Sequence, residues 1–332
     1  MATFKELRGV NIPIRSSDLA NPKLGEVWYN TTTHALKAQV LQTASWATGG
    51  TRSNATFRGA AFGITTAAVA SGGTQTPPLP SGPINNTTEL YNGTSWTGGT
   101  AAPLNLGYVT SGGTETAGIV NTGESPPGSG TTTIEYATGT WTSGGTKTFA
   151  GQNSLGAGTQ TSYICIGGQF QPSYSPKNNV SCYDGTSWTS KPTYPTNTAA
   201  GGACGNDDLA YAYGGDAGSG AISTAADWSG SSWTTGASLP TATKNMSYNS
   251  SGSTTDAISA NGSPAVPTSL IYNGTSWSTT ATSNNALPQG IMAGAATTAG
   301  CVRWGSPGPS GFQFTTEEYT GGGSATQTVT AS

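Results

Sequence analysis

Tyr91-Asn-Gly-Thr-Ser-Trp96 is the phrase that decides this chain, because it returns four more times: Tyr136-Ala-Thr-Gly-Thr-Trp141, Tyr183-Asp-Gly-Thr-Ser-Trp188, Trp228-Ser-Gly-Ser-Ser-Trp233 and Tyr272-Asn-Gly-Thr-Ser-Trp277. The closing tryptophans are spaced by 45, 47, 45 and 44 residues. A sixth, degraded copy begins at Tyr319, 47 residues after Tyr272, and lacks the tryptophan. Upstream, Leu41-Gln-Thr-Ala-Ser-Trp46 keeps only the Ser-Trp ending. A fixed period near 45 residues marks a repeat architecture, in which each unit buries its apolar faces only against its neighbours.

Each phrase reads as a β-hairpin. Asn-Gly and Asp-Gly supply the positive φ angles of a tight turn, with an aromatic residue closing the strand on either side. Small-residue strands ending in Gly-Gly stand midway through several units, at 67–73, 163–168 and 209–215. Pro103, Pro195 and Pro240 each follow a repeat tryptophan by seven residues, at the connection into the next unit. About four short strands per unit are therefore expected.

Composition agrees. The 332 residues include 49 glycines, nine tryptophans and thirteen tyrosines, and only 8% are charged, where about 25% is usual. Poor helix formers dominate, so an all-β protein is expected. The aromatic content argues against disorder. No apolar run approaches the ~20 residues of a membrane helix, and the start MATFKELRGV lacks a signal-peptide core. Residues 1–58 carry seven basic and three acidic groups, and residues 59–332 five basic and twelve acidic. That change of sign suggests a change of module, and the larger part has no basic face for nucleic acid.

The order of a strand ending in Gly-Gly, then Tyr, then Trp resembles the kelch repeat family over residues 47–330. The resemblance implies a β-propeller of six four-stranded blades, or seven if N-terminal strands complete another. The approximate repeats are 47–96, 97–141, 142–188, 189–233, 234–277 and 278–332. Tyr91, Trp96, Tyr136, Trp141, Tyr183, Trp188, Trp228, Trp233, Tyr272 and Trp277 are then the structural repeat residues. The chain departs from the family in repeat five, which lacks Gly-Gly, and in most copies of the kelch arginine. Residues 1–46 form a separate arm in this reading. There, Pro22-Lys-Leu-Gly-Glu-Val-Trp-Tyr-Asn30 followed by Thr-Thr-Thr-His-Ala-Leu-Lys37 resembles a segment of tail fibres and other virion proteins of tailed bacteriophages. By its own alternation it reads as two strands about a polar turn.

Catalytic chemistry is sparse. His34 is the single histidine and lies in the arm, so no Ser-His-Asp or Cys-His mechanism fits the repeats. Cys165, Cys182, Cys204 and Cys301 have no C-x-x-C spacing and read as small buried residues in strands. Asp207, Asp208, Asp216, Glu317 and Glu318 are the carboxylates available for acid–base work or a cation, and turn or surface roles account for them more simply. No enzyme, cofactor or metal is expected. The segments that break the repeat are more informative: 74–86, 121–130, 169–179, 216–223, 261–267 and 305–311, several rich in proline. Joining equivalent strands, they should emerge on one face. Phe170, Tyr174 and Trp304, in or beside them, are aromatic surfaces suited to sugar rings.

The expected function is that of a non-enzymatic virion structural protein, located on the particle surface or tail. Residues 1–46 would dock to other virion proteins. The loops would face a host-surface glycan or protein. No nucleic-acid partner or membrane insertion is expected, and a homo-oligomer is compatible. A bacterial surface or secreted lectin-like propeller is the alternative.

Overall fold

In the repeat phrase, the asparagine works through its side chain. Asn92 Oδ1 accepts hydrogen bonds from the Thr94 and Ser95 N–H groups at 2.9 and 2.8 Å, and the positive φ falls on Gly93, at 89°. Asp184 and Asn273 make the same pair of bonds, with Gly185 at 93° and Gly274 at 88°. This self-contained turn closes the last hairpin of a four-stranded sheet. The computed structural model describes residues 12–75, 83–125, 128–246, 251–260, 262–263, 267–285, 289–296, 300–305, 307–308, 311–312 and 314–329, and no helix occurs among them.

Two compact units result, one of residues 45–320 and one of 1–44 with 321–332. The larger contains six antiparallel four-stranded sheets. Sheet 1 is Ala60–Ile64, Ala67–Thr74, Ile84–Tyr91 and Trp96–Gly98; sheet 2 is Thr110–Thr114, Ala117–Asn121, Thr133–Ala137 and Thr140–Ser143. Sheet 3 is Leu155–Thr159, Ser162–Phe170, Ser175–Tyr183 and Trp188–Lys191; sheet 4 is Gly202–Gly205, Ala210–Asp216, Ala221–Trp228 and Trp233–Thr235. Sheet 5 is Ser251–Ser253, Asp256–Ala260, Ser269–Tyr272 and Trp277–Thr279. Sheet 6 is Ile291–Ala296, Gly300–Trp304, Thr316–Thr320 and, from the other end of the chain, Ser45–Thr48. The first strand of each sheet neighbours that of the next, and the first strand of sheet 6 neighbours that of sheet 1. The arrangement is propeller-like.

The missing tryptophan of the sixth repeat is Trp46. Tyr319 pairs with Trp46 as Tyr91 pairs with Trp96, Tyr136 with Trp141, Tyr183 with Trp188, Trp228 with Trp233 and Tyr272 with Trp277. Each tryptophan Nε1 then donates to another sheet or its connection. Trp96 reaches Thr316 Oγ1 at 2.8 Å, Trp188 reaches Thr133 Oγ1 at 2.8 Å, and Trp46 reaches Ser269 Oγ at 3.1 Å. Trp277 reaches the Tyr211 hydroxyl at 2.8 Å. These pairs bury large apolar area and join neighbouring sheets, each contributing about 0.5–1.5 kcal/mol beyond simple burial. Two buried ion pairs reinforce the positions nearest the closing strand, Arg52 with Glu89 and Arg303 with Glu317. Cys165, Cys182, Cys204 and Cys301 are buried in strands and form no disulfide.

The smaller unit is one sheet of Ile14–Arg15, Val27–Asn30, Ala35–Gln42 and Gly323–Thr328. Its central hairpin turns at residues 31–34, where Asn30 Oδ1 accepts from the Thr32 and Thr33 N–H groups at 3.0 and 3.1 Å. Trp28 is fully buried and donates through Nε1 to Asp18 at 3.1 Å, while Asn30 Nδ2 reaches the same carboxylate oxygen at 2.8 Å. Those two bonds hold the Asp18 carboxyl below its ordinary value.

Candidate functional site

The connections entering the sheets share a backbone signature. Arg58, Tyr108, Asn153, Ala200 and Gln289 each stand two residues before a first strand with φ between 54° and 62°, and Asn245, at 52°, occupies the corresponding connection of sheet 5. Non-glycine residues in this region are strained by of order 1–3 kcal/mol and persist where surrounding bonds over-determine them. Here the Tyr108 N–H donates to the Arg58 carbonyl at 2.8 Å, Asn153 to Tyr108 at 3.1 Å, Ala200 to Asn153 at 2.7 Å and Gln289 to Asn245 at 2.9 Å. These bonds hold the starts of the first strands side by side. Antiparallel alternation then returns every connection between second and third strands to that same end.

The Gly-Gly pairs serve this end of the sheets. Gly72 and Gly73 have φ of 68° and 106°, Gly167 and Gly168 63° and 104°, and Gly214 and Gly215 62° and 109°. The strand register shifts across each pair, leaving an N–H for the connection of the next sheet: Gly73 donates to Leu106 at 2.6 Å, Gly168 to Thr198 at 2.8 Å and Gly215 to Thr243 at 2.9 Å. A Cβ on Gly72 would lie 2.4 Å from Leu106 Cβ, so only glycine permits this approach.

Among the side chains at this end, the Arg58 guanidinium carbon lies 4.4 Å from the Tyr108 ring centroid and 5.2 Å from that of Phe57. Arg58 Nε and Gln289 Oε1 are buried atoms with no hydrogen-bond partner among the described residues. They are a donor and an acceptor on the connections of adjacent sheets 1 and 6. Leaving such atoms unpaired costs about 1–3 kcal/mol each, so a polar ligand or water gains by reaching them. This set was not legible from residue types, because its six members share a backbone conformation and no common side chain.

The aromatic residues named from sequence are placed differently from one another. Tyr174 is 45% exposed at the tip of the hairpin in sheet 3, its hydroxyl accepting from Gln171 Nε2 at 3.1 Å. Phe170 is part-buried on the same hairpin and stacks on Phe149, with centroids 5.5 Å apart and planes at 15°. Trp304 lies inside sheet 6, fully buried and edge-on to Trp96 at 4.9 Å, so it presents no face to a sugar. Behind Phe149 lies Lys147, 2% exposed, with its ammonium 5.3 Å from the Phe149 centroid and 3.4 Å from the Thr122 carbonyl oxygen. Burial pushes its pKa down.

The five carboxylates considered for catalysis are dispersed. Glu317 is buried against Arg303, Glu318 accepts from the Tyr91 hydroxyl, and Asp216 pairs with Lys244 at 2.7 Å. Asp207 accepts from Ser162 Oγ, and Asp208 belongs to the same tight turn, its N–H donating to Asn206 Oδ1 at 3.1 Å. No cluster of three metal-ligating side chains occurs among the described residues. Parts of the variable segments 74–86, 121–130, 261–267 and 305–311 lie outside the described residues.

Where the first strands meet, a cavity of about 220 Å³ is lined by all six sheets. Gly63, Gly113, Gly158, Gly205, Gly252 and Gly294, one per sheet and all with positive φ, form much of its wall, with Ser111, Thr114 and Thr159 as its polar side chains. No protein-family model and no curated protein matches the chain.

Proposed function

We propose that this protein is a non-enzymatic virion structural protein of a tailed bacteriophage, whose six-sheet unit presents one end for adsorption to a host-surface glycan or protein. The arm segment Pro22–Lys37, with its resemblance to tail-fibre and virion proteins, carries the virion assignment. Arg58, with its unpartnered Nε and its guanidinium over Tyr108, carries the adsorptive one, and Gln289 adds a carboxamide on the connection of the adjacent sheet 6. A cation, an aromatic face and a carboxamide together suit a hydroxyl-rich ligand bearing a carboxylate, such as an acidic sugar. Tyr174, exposed on a proline-containing hairpin at the same end, adds an aromatic surface whose ordering on binding costs little entropy. The smaller unit, residues 1–44 with 321–332, is the part that docks to other virion proteins.

The alternative of a bacterial surface lectin-like propeller uses the same end and differs in the role of the small unit. Labelled full-length protein incubated with host cells tests the adsorptive end. Saturable binding that falls at least tenfold in both Arg58→Ala and Tyr174→Ala supports it. Undiminished binding in both variants, or no saturable binding to the host, refutes it.

A further inference from the structure

Among the described residues, the strand Gly323–Thr328 is an edge of the small sheet, hydrogen-bonded on one side to Ala35–Gln42, and its residues are exposed except for Ala325, which is half-buried. Which backbone groups face outward follows from one bond. The Val329 N–H donates to the Leu36 carbonyl at 2.8 Å, so odd-numbered residues of this stretch turn their N–H and C=O toward Ala35–Gln42. Ser324, Thr326 and Thr328 turn theirs outward. Their side chains confirm the alternation, since Thr326 Oγ1 reaches Gln39 Oε1 at 2.8 Å and Lys37 Nζ reaches Thr328 Oγ1 at 2.8 Å, as close cross-strand pairs do.

Edge strands are normally blunted by charge, proline or a bulge. This one, Gly-Ser-Ala-Thr-Gln-Thr, has no charge, no proline and an unbroken register over six residues. We infer that Gly323–Thr328 is a self-association edge, pairing antiparallel with the same strand of a second copy of this chain about a two-fold axis at Thr326. The occupant follows from self-complementarity. Reversal about Thr326 sets Ser324 opposite Thr328 and Thr326 opposite itself, so every outward N–H meets an outward C=O and hydroxyl side chains meet hydroxyl side chains. No like charges on the strand are brought together, and the chain's net charge of only −3 opposes association weakly. The inference is independent of any role in a virion.

Light scattering after size exclusion of the full chain, over a concentration series, reads this directly. A species of twice 33.3 kDa is expected. Thr326→Pro removes an outward N–H without touching the ladder to Ala35–Gln42, and Ser324→Lys adds charge to the edge. Each should weaken the dimer by roughly tenfold or more. Unchanged near-ultraviolet circular dichroism and melting of the variants' monomers would show that the fold is kept. A chain that stays monomeric at every concentration overturns the inference, as does a trimer or a dimer that both variants preserve. So does a monomer that dimerises only after deletion of residues 2–11, which would assign the edge to the chain's own N-terminal segment.

Discussion

Trp46 and Tyr319 face each other in register across antiparallel strands, their ring centroids 5.2 Å apart, with the other five sheets encoded between them in the chain. The strand carrying Trp46 supplies to sheet 6 what each other repeat supplies for itself. The two ends of the six-sheet unit are thereby tied together by backbone hydrogen bonds and an aromatic pair, and the Arg303 guanidinium lies 4.8 Å from the Trp46 centroid.

Trp46→Ala should therefore cost about 3–5 kcal/mol of stability, the usual loss for deleting a buried tryptophan. Denaturant unfolding measures it. A loss under about 1 kcal/mol would show that the closing strand contributes little.

The Arg52–Glu89 pair gives a second test. Both side chains are nearly inaccessible, at 2% and 3%, and Arg52 also packs over Trp96 and Trp304. Glu89→Gln leaves a buried guanidinium uncompensated and should destabilise by about 3–5 kcal/mol. Replacing both partners, as Arg52→Met with Glu89→Leu, should recover most of that loss. Equal destabilisation in the single and double variants would mean that packing, and not charge, governs the site.

Legibility tracked range along the chain. The Tyr–Trp hairpins were readable because turn chemistry and both aromatic ends lie within six residues. The four-stranded, roughly six-fold architecture followed from their spacing. Membership of Trp46 in sheet 6 was invisible, since its partner strand is at the far end of the sequence. The turn itself was read half correctly: glycine supplies the positive φ, and the preceding Asn or Asp acts as a side-chain acceptor. Trp304 shows the limit for sites. Proximity to a variable segment suggested exposure, yet it sits in a strand whose Cys301–Trp304 residues are all buried. Arg58 and Gln289 carry no motif, and only their shared left-handed backbone groups them with Tyr108, Asn153, Ala200 and Asn245.

Tyr91 and Tyr183 contribute to the alkaline limit, alongside the more deeply buried Tyr163, Tyr194 and Tyr211, whose hydroxyls burial also pushes up. Burial, reinforced by Glu318 and Glu135 respectively, pushes the Tyr91 and Tyr183 hydroxyls up to about 12 from an ordinary value of 10.0. A folded pKa above the unfolded one contributes stability that is present below pH 10 and lost as pH rises through 12. Unfolding free energy should fall over that window, and Tyr91→Phe with Tyr183→Phe should flatten the fall. An unchanged slope in the double variant would contradict the assignment.

Trp304 and Tyr174 should separate stability from recognition. Trp304→Ala is expected to cost about 3–5 kcal/mol and to reduce binding only through loss of folded protein. Tyr174→Ala should leave melting within about 0.5 kcal/mol of the parent while weakening attachment to cells. Attachment indifferent to Tyr174→Ala in fully folded protein would move recognition away from this hairpin.

The virion assignment meets its most direct test in mass spectrometry of density-purified particles from the source culture, with this protein's copy number set against the major capsid protein. A stoichiometric signal in the particle band is expected, with a few copies indicating a tail or fibre and hundreds a capsid decoration. Recovery solely from the cell-envelope or free soluble fraction would contradict the assignment and favour the lectin-like alternative.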